Sequence, residues 1–177
     1  MIARWSDPRI ARVPIRDCGE PLVDVRASAP LSVAGPPVHL RYGVVERLVT
    51  AQSLLPRTVR LLIVDGHRPA TRPTVAPHPT GGAVDITLSD RHAVDPAAAT
   101  LPTCCTGIVP PPADRTRQML TSALTAVGLV AYPTRWWHWS YGDRYWAFVT
   151  QAAHSRYGPL PDPGATVTGG RIRRRSC

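Results

Sequence analysis

The chain has 177 residues, 44% of them hydrophobic, and its 21 basic and 12 acidic side chains give a formal charge of +9. Such a length supports one domain with a single buried core and is short for two. No apolar run approaches the ~20 residues that cross a bilayer, and the N-terminus lacks the apolar stretch of a secretory signal. We therefore expect a cytoplasmic protein with no membrane partner.

The positive charge does not by itself predict nucleic-acid binding. All 21 basic residues are arginines, and the one dense group lies at 171–175, after a Pro- and Gly-rich stretch. That composition is typical of a solvated, disordered tail, with contact to an anionic partner as the alternative. We predict one domain over residues 1–158, a disordered tail over 159–177 and no nucleic-acid partner.

The predicted elements of the first half are one helix and two strands. Apolar residues recur at helical spacing over 42–55, and Pro56 ends this helix. Residues 58–65 are rich in leucine and β-branched residues and indicate a buried strand. A proline-dense loop is predicted over 66–79, and a second strand over 83–88.

A second Pro-rich loop is predicted over residues 94–112. It contains the vicinal pair Cys104-Cys105. Because none of the four cysteines has C-x-x-C spacing, we interpret them as reduced thiols rather than as a zinc ribbon or a redox motif.

The remaining elements are a helix and a hairpin. Asp114 is the predicted N-cap of a helix over 115–127. Two aromatic-rich segments, 136–141 and 144–149, flank the dipeptide Gly142-Asp143, and this pattern predicts a β-hairpin. The elements together predict an α+β fold, with helices packed on a central, mostly antiparallel sheet.

Three residues have the chemistry of metal ligands: His78, Asp85 and His138. Asp85 lies within an otherwise apolar strand, where an ionised carboxylate is costly unless it is paired or coordinated. Two histidines and one carboxylate leave a coordination position open, as in catalytic zinc sites, and the same set can hold Fe²⁺. The alternative is that the histidines are ordinary, partly buried side chains and that Asp85 anchors a turn.

Strand geometry predicts where these side chains point. If the strand of Asp85 and the strand of His138 are neighbours in one sheet, the three side chains converge on one face. Alternation along the strand then places Trp136 on the face of His138, and Trp137 and Trp139 on the opposite face.

The chain resembles the D-Ala-D-Ala dipeptidases, the zinc peptidases of the vancomycin-resistance type, whose relatives include D,D-carboxypeptidases and the hedgehog-like fold. The resemblance extends from residue 5 to about residue 158. It rests on Ser6-Asp-Pro-Arg9, Gly19-Glu-Pro-Leu-Val-Asp24, Leu54-Leu-Pro56, Asp65-Gly-His-Arg-Pro69, Val75 to Leu88, and Tyr132 to Ala147.

The resemblance implies zinc ligation by His78, Asp85 and His138. It also implies that the Arg68 guanidinium stabilises the oxyanion that develops during the reaction. In the family, zinc activates water and a glutamate three residues before the second histidine carries its proton. Here that position is Arg135.

Two departures from the family change the expected chemistry. Arg135 cannot accept a proton, and loss of such a base typically costs about 10²- to 10⁴-fold in rate. The second departure is a shortening, since relatives carry a few dozen residues where this chain has only 70–74. We expect a more open site and a larger substrate.

Three hypotheses follow. In the first, Arg68, Arg135 and Trp136 bind a carboxylate-bearing or peptide-like small molecule beside the metal. The enzyme then catalyses a non-hydrolytic step of lyase or cyclase type in secondary metabolism. In the second, the protein still hydrolyses peptides containing D-amino acids. In the third, it is a binding relative without catalysis. The sequence predicts no oligomeric state.

Overall fold

The computed structural model of the chain describes residues 4–28, 30–70, 75–90 and 114–160. Single turns of 3-10 helix lie at Val25–Ala27 and His78–Thr80. The helices and strands are, in chain order, α1 Pro8–Ala11, β1 Leu22–Asp24, β2 Ser32–Val33, β3 His39–Arg41, α2 Tyr42–Ser53, β4 Val59–Asp65, β5 Ala83–Asp90, α3 Asp114–Ala126, β6 Val130–Tyr132, β7 Arg135–Ser140 and α4 Arg144–Thr150.

A five-stranded sheet in the order β2-β4-β5-β7-β6 forms the centre of the fold. β2 pairs with β4 in parallel, and the other neighbours in this sheet are antiparallel. β1 and β3 form a separate antiparallel pair. The predicted α+β class with a mostly antiparallel sheet is confirmed.

The main core lies between one face of this sheet and the helices α2 and α3. Apolar side chains from both helices and from the strands β4, β5 and β7 form one buried cluster, including Val44, Leu48, Leu61, Ile63, Val84, Ile86, Leu120, Leu124 and Trp139. The Gln52 amide fastens the end of α2 to β4, because it donates to the Val59 carbonyl at 2.9 Å and accepts from the Leu61 N–H at 2.7 Å.

The predicted helices agree with the structure to within two residues. The helix predicted over 42–55 is α2, and the one predicted over 115–127 is α3. Gly128 follows α3 with a φ of +83°, and its N–H donates to the Thr125 carbonyl at 2.9 Å. This left-handed geometry is the helix ending in which glycine is favoured.

The predicted hairpin over 136–149 is wrong. Residues Arg144–Thr150 form the helix α4, and β7 instead pairs with β6 on one side and with β5 on the other. The Asp143 carboxylate caps α4 by accepting from the Trp146 N–H at 2.8 Å. Tyr145 is buried against Tyr132, so this cap and tertiary packing outweigh the strand preference of the aromatic residues.

Several predictions lie outside the described residues. They are the loop over 94–112 with Cys104-Cys105, and the tail from residue 161 onward. The single-domain prediction likewise stays a prediction. Among the described helices, none is long and apolar enough to cross a membrane.

Two distant segments are joined beside the sheet. Ile15 forms a β-bridge with Ser155, and the Cys18 N–H donates to the Arg156 carbonyl at 2.9 Å. The Asp17 carboxylate accepts from the Gly158 N–H at 2.7 Å. We call this contact between residues 14–18 and 155–158 the terminal clasp.

Candidate metal centre

His78, Asp85 and His138 converge on one face of the sheet. Asp85 on β5 lies directly opposite His138 on β7, and His78 lies in the 3-10 turn that precedes β5. All three side chains are buried, and one ligand atom from each lies within 4.8 Å of the others. The predicted convergence is therefore present in the structure.

The turn that carries His78 is held from two sides. The Arg41 side chain, itself buried, donates from Nε to the Thr80 carbonyl at 2.8 Å. Gly81 has a φ of +69°, which lets the chain reverse before β5. The Arg41 hydrogen bond and the left-handed conformation of Gly81 thus set the position of the turn that carries His78.

The orientation of the His78 ring is set by a hydrogen bond to Gly66. Nδ1 lies 2.6 Å from the Gly66 carbonyl oxygen, and a carbonyl can only accept. Nδ1 therefore carries a proton, and in the neutral ring Nε2 has a free lone pair. Such a bond from the non-ligating nitrogen is the usual support of a metal-ligating histidine.

The donor set fits a divalent cation. His78 Nε2 lies 3.4 Å from Asp85 Oδ1, so in the neutral ring two acceptors face each other inside the protein. Asp85 Oδ1 is also 2.7 Å from His138 Nδ1. A cation among these three atoms would remove the conflict between acceptors, and nitrogen and carboxylate donors suit zinc.

The local electrostatics favour the ligating protonation states of Asp85 and His138. Burial alone would raise the pKa of Asp85, but the hydrogen bond with His138 and the adjacent His78 ring outweigh it and hold that pKa well below its usual range. Burial lowers the pKa of His138 to about 4, against the opposing effect of Asp85. At neutral pH the carboxylate is ionised and His138 is neutral, as metal binding requires.

Arg135 lies near the centre but is not one of the converging residues. Its Cζ lies 4.9 Å from the centroid of the Trp5 ring, and that ring makes an edge contact with His138 at 4.8 Å. Among the described residues, no hydrogen bond or ion pair engages the Arg135 guanidinium. The side chain is half-buried, so a partly shielded cation lies one ring away from the candidate metal ligands.

Trp5 is a site residue that the sequence analysis missed. Its ring stacks on Tyr132 at 4.2 Å, and its backbone N–H donates to the Tyr132 hydroxyl at 3.3 Å. These partners are more than 120 residues away along the chain, so no local pattern points to them.

The predicted position of Trp136 is corrected. Trp136 packs against the main core, with its ring 5.6 Å from that of Trp137, and the aromatic neighbours of His138 are Trp5 and Tyr132. The cause is an irregular register, because Ala131 pairs with Trp139 and Tyr132 with Arg135. Residues 136–138 have no registered partner in β6, so strict alternation fails there.

Arg68 is connected to the centre through its own loop. Its Nε lies 3.1 Å from Asp65 Oδ2 in an ion pair, and the side chain is 46% exposed. Gly66, two residues earlier, supplies the carbonyl that orients His78. The roles of Arg68 and Trp136 in substrate binding stay predictions.

Carboxylates other than Asp85 have structural partners wherever the structure describes their side chains. Glu20 accepts from the Tyr157 hydroxyl at 2.7 Å, and Glu46 from the Tyr42 hydroxyl at 2.6 Å. The remaining acids bond to nearby arginines or backbone N–H groups: Asp7, Asp17, Asp24, Asp65 and Asp143. In this part of the chain, no second carboxylate joins the triad.

Two comparisons with known proteins place the site in context. Residues 64–157, more than half of the chain, match the sequence model of peptidase family M15, described as D-Ala-D-Ala dipeptidase. A D-alanyl-D-alanine dipeptidase of Synechocystis sp. is 28% identical over 121 residues. The aligned region covers 58% of this chain and 48% of that protein, so the similarity spans about half of the relative's length.

Proposed function

The chain belongs to the D-Ala-D-Ala dipeptidase family, and we propose that it is a metal-dependent enzyme of that family with altered chemistry. Its substrate would be a carboxylate-bearing or peptide-like small molecule. The observation that carries the proposal is the buried triad of His78, Asp85 and His138, in which two acceptors face each other at 3.4 Å.

Each ligand has a defined support from the protein. His78 would offer Nε2, because Gly66 holds its Nδ1–H. His138 would offer Nδ1, which in the ion-free protein hydrogen-bonds to Asp85 Oδ1 at 2.7 Å, so metal binding would require the tautomer with its proton on Nε2. We propose Zn²⁺ as the ion, with Fe²⁺ as the alternative. When bound, the ion would supply a Lewis acid that polarises an oxygen of the substrate.

Arg135 supplies the second component of the proposed site. A guanidinium binds a carboxylate through two parallel hydrogen bonds and cannot accept a proton at neutral pH. Because the described residues give Arg135 no hydrogen-bonded or ionic partner, its donors are available to a substrate anion. Arg68 would add positive charge from the neighbouring loop, although Asp65 already engages it.

This combination favours a reaction that does not add water to the substrate. The described part of the chain holds the candidate metal triad and the Arg135 cation, and the carboxylates whose side chains it describes outside the triad are bonded elsewhere. A lyase- or cyclase-type step in the biosynthesis of a small metabolite fits these groups. Hydrolysis of D-amino-acid peptides is the second candidate, and the family membership favours it.

The test begins with metal content and binding. Purified protein is expected to hold one equivalent of zinc by mass spectrometry, and His78→Ala is expected to lose it. Calorimetry then compares the affinity for N-acetyl-D-alanine with the affinity for its neutral amide, which differs only in the carboxylate. Arg135→Met should reduce the preference for the carboxylate about 10- to 100-fold, the effect of losing hydrogen bonds to a charged group. Arg57→Met, which removes an exposed arginine, is the matched control and should leave the preference unchanged.

The reaction class is tested with D-Ala-D-Ala as substrate. We expect no cleavage by the natural sequence and measurable cleavage by Arg135→Glu, which restores a carboxylate at this position. Cleavage by the natural sequence that Arg135→Met does not alter would establish the hydrolase instead. Protein that binds no metal and is unaffected by His78→Ala would be a binding relative without catalysis.

A further inference from the structure

Trp5 contacts the metal centre and Arg135 at the same time. Its ring meets the His138 ring edge-on, with centroids 4.8 Å apart and an interplanar angle of 70°. The Arg135 Cζ lies 4.9 Å from the centroid of the same ring. Trp5 therefore contacts both the candidate metal ligand His138 and the guanidinium of Arg135.

The position of Trp5 is itself fixed by packing. Its ring lies on Tyr132 at 4.2 Å with an interplanar angle of 30°, and Tyr132 in turn makes an edge contact with Tyr145 at 5.3 Å. Ile10, Tyr132 and Tyr145 form a second buried cluster, against which Trp5, Val130 and Phe148 pack. Trp5 is thus held by the fold, whereas Arg135 has no other described contact of its own to fix its guanidinium.

We propose that Trp5 is a positioning residue that sets where Arg135 holds a substrate carboxylate relative to the metal. The proposal rests on the function proposed above. An arginine side chain loses rotamer entropy when it is ordered. A contact with tryptophan, the best aromatic partner of a cation, confines the guanidinium before the substrate arrives. Because Trp5 also contacts the His138 ring edge-on, it fixes the distance between the Arg135 guanidinium and that ring.

The test is a double-mutant cycle between position 5 and Arg135. Trp5→Phe keeps an aromatic ring that binds cations less strongly, and Trp5→Leu removes it. Each variant is made with Arg135 and with Arg135→Met. Calorimetry on zinc-loaded protein then measures the affinity of each for N-acetyl-D-alanine and for its amide. With Arg135 present, Trp5→Leu is expected to weaken carboxylate binding about 2- to 5-fold, the equivalent of a partly exposed cation–π contact. Trp5→Phe should give an intermediate loss. The amide, and both ligands in the Arg135→Met background, should not change.

Phe148→Leu is the matched control for a merely structural role. Phe148 packs against the same second cluster. Its ring also makes a cation–π contact with Arg9, whose Cζ lies 5.1 Å from the ring centroid. This substitution loosens the N-terminal segment without removing the described contacts of Trp5. It should lower thermal stability and leave the carboxylate preference intact. An equal loss of preference in Phe148→Leu and Trp5→Leu would overturn the proposal.

The outcomes separate this proposal from the proposed function. If the carboxylate preference depends on Arg135 but not on the residue at position 5, the positioning role is wrong and the proposed function stands. If the natural sequence shows no Arg135-dependent preference, both are wrong. If Trp5→Leu does not fold, the comparison of Trp5→Phe with the natural sequence decides, since an unchanged preference in that variant refutes the role.

Discussion

Asp143 is a buried acid whose neutralisation should stabilise the protein at neutral pH. Its side chain is 1% exposed, and burial raises its pKa to about 6 from an ordinary value of 3.8, against the opposing effect of the Trp146 N–H that it caps. Asp143→Asn removes the buried charge. Asparagine caps helices about as well as aspartate, so the start of α4 should be preserved.

The size and sign of the effect follow from the pKa. Each unit corresponds to ~1.36 kcal/mol, so a shift of about two units gives roughly 3 kcal/mol at most. Because the folded-state pKa is raised, ionisation of Asp143 opposes folding. The natural protein should lose this stability as the pH rises from about 4 to about 6, and should not regain it above that range. Below about pH 4, both states are protonated and Asp143→Asn should have little advantage.

Urea denaturation from pH 4 to pH 8, with a chelator present so that metal adds no stability, measures the effect. The expected result is a difference in the free energy of unfolding that grows between pH 4 and pH 6 and then stays constant. Asp7 is the control with opposite sign, since it caps α1 on the surface and its hydrogen bonds with Arg9 lower its pKa to about 2. Asp7→Asn should not stabilise the protein at neutral pH. A pH-independent difference for Asp143→Asn, or a less stable variant at pH 7.5, would refute the reasoning.

Two further predictions concern the metal and the core. Zinc at a hundredfold excess over its dissociation constant should raise the free energy of unfolding by about 2.7 kcal/mol. Urea denaturation with and without zinc measures this increase. The Asp85→Asn variant should show no increase. Gln52→Leu should cost about 2–4 kcal/mol in the same assay, because it leaves the Val59 carbonyl and the Leu61 N–H without their described partner. Thr50→Val, on the exposed side of α2, should cost much less, and equal losses would mean that Gln52 does not support β4.

The sequence predicts the elements whose residues are buried on one side. α2 and α3 carry regular apolar stripes, and β4 and β5 have runs that suit a buried strand, so their period is visible locally. α4 was mistaken for a strand because its seven residues are mostly aromatic or apolar and short enough to suit either structure. The Asp143 cap decides between them, and its effect depends on the tertiary position of Tyr145.

The convergence of His78, Asp85 and His138 was predictable because two of them are close in sequence and the third lies on the neighbouring strand. The surroundings of the triad were not predictable. The contact of Trp5 with Tyr132 depends on packing between segments that are more than 120 residues apart. The position of Trp136 depends on a register shift between β6 and β7, which the alternating pattern does not reveal.

The terminal clasp has a consequence for the order of folding. Residues 14–18 are held by residues 155–158, and Arg41, which supports the turn of His78, also donates to the Gly158 carbonyl at 3.1 Å. During synthesis, the early strands and α2 leave the ribosome long before the segment that secures them. Contacts of such long range slow folding, since the chain loses the entropy of loop closure before the contacts form. We therefore expect the candidate metal centre to form only after nearly the whole described chain has been synthesised.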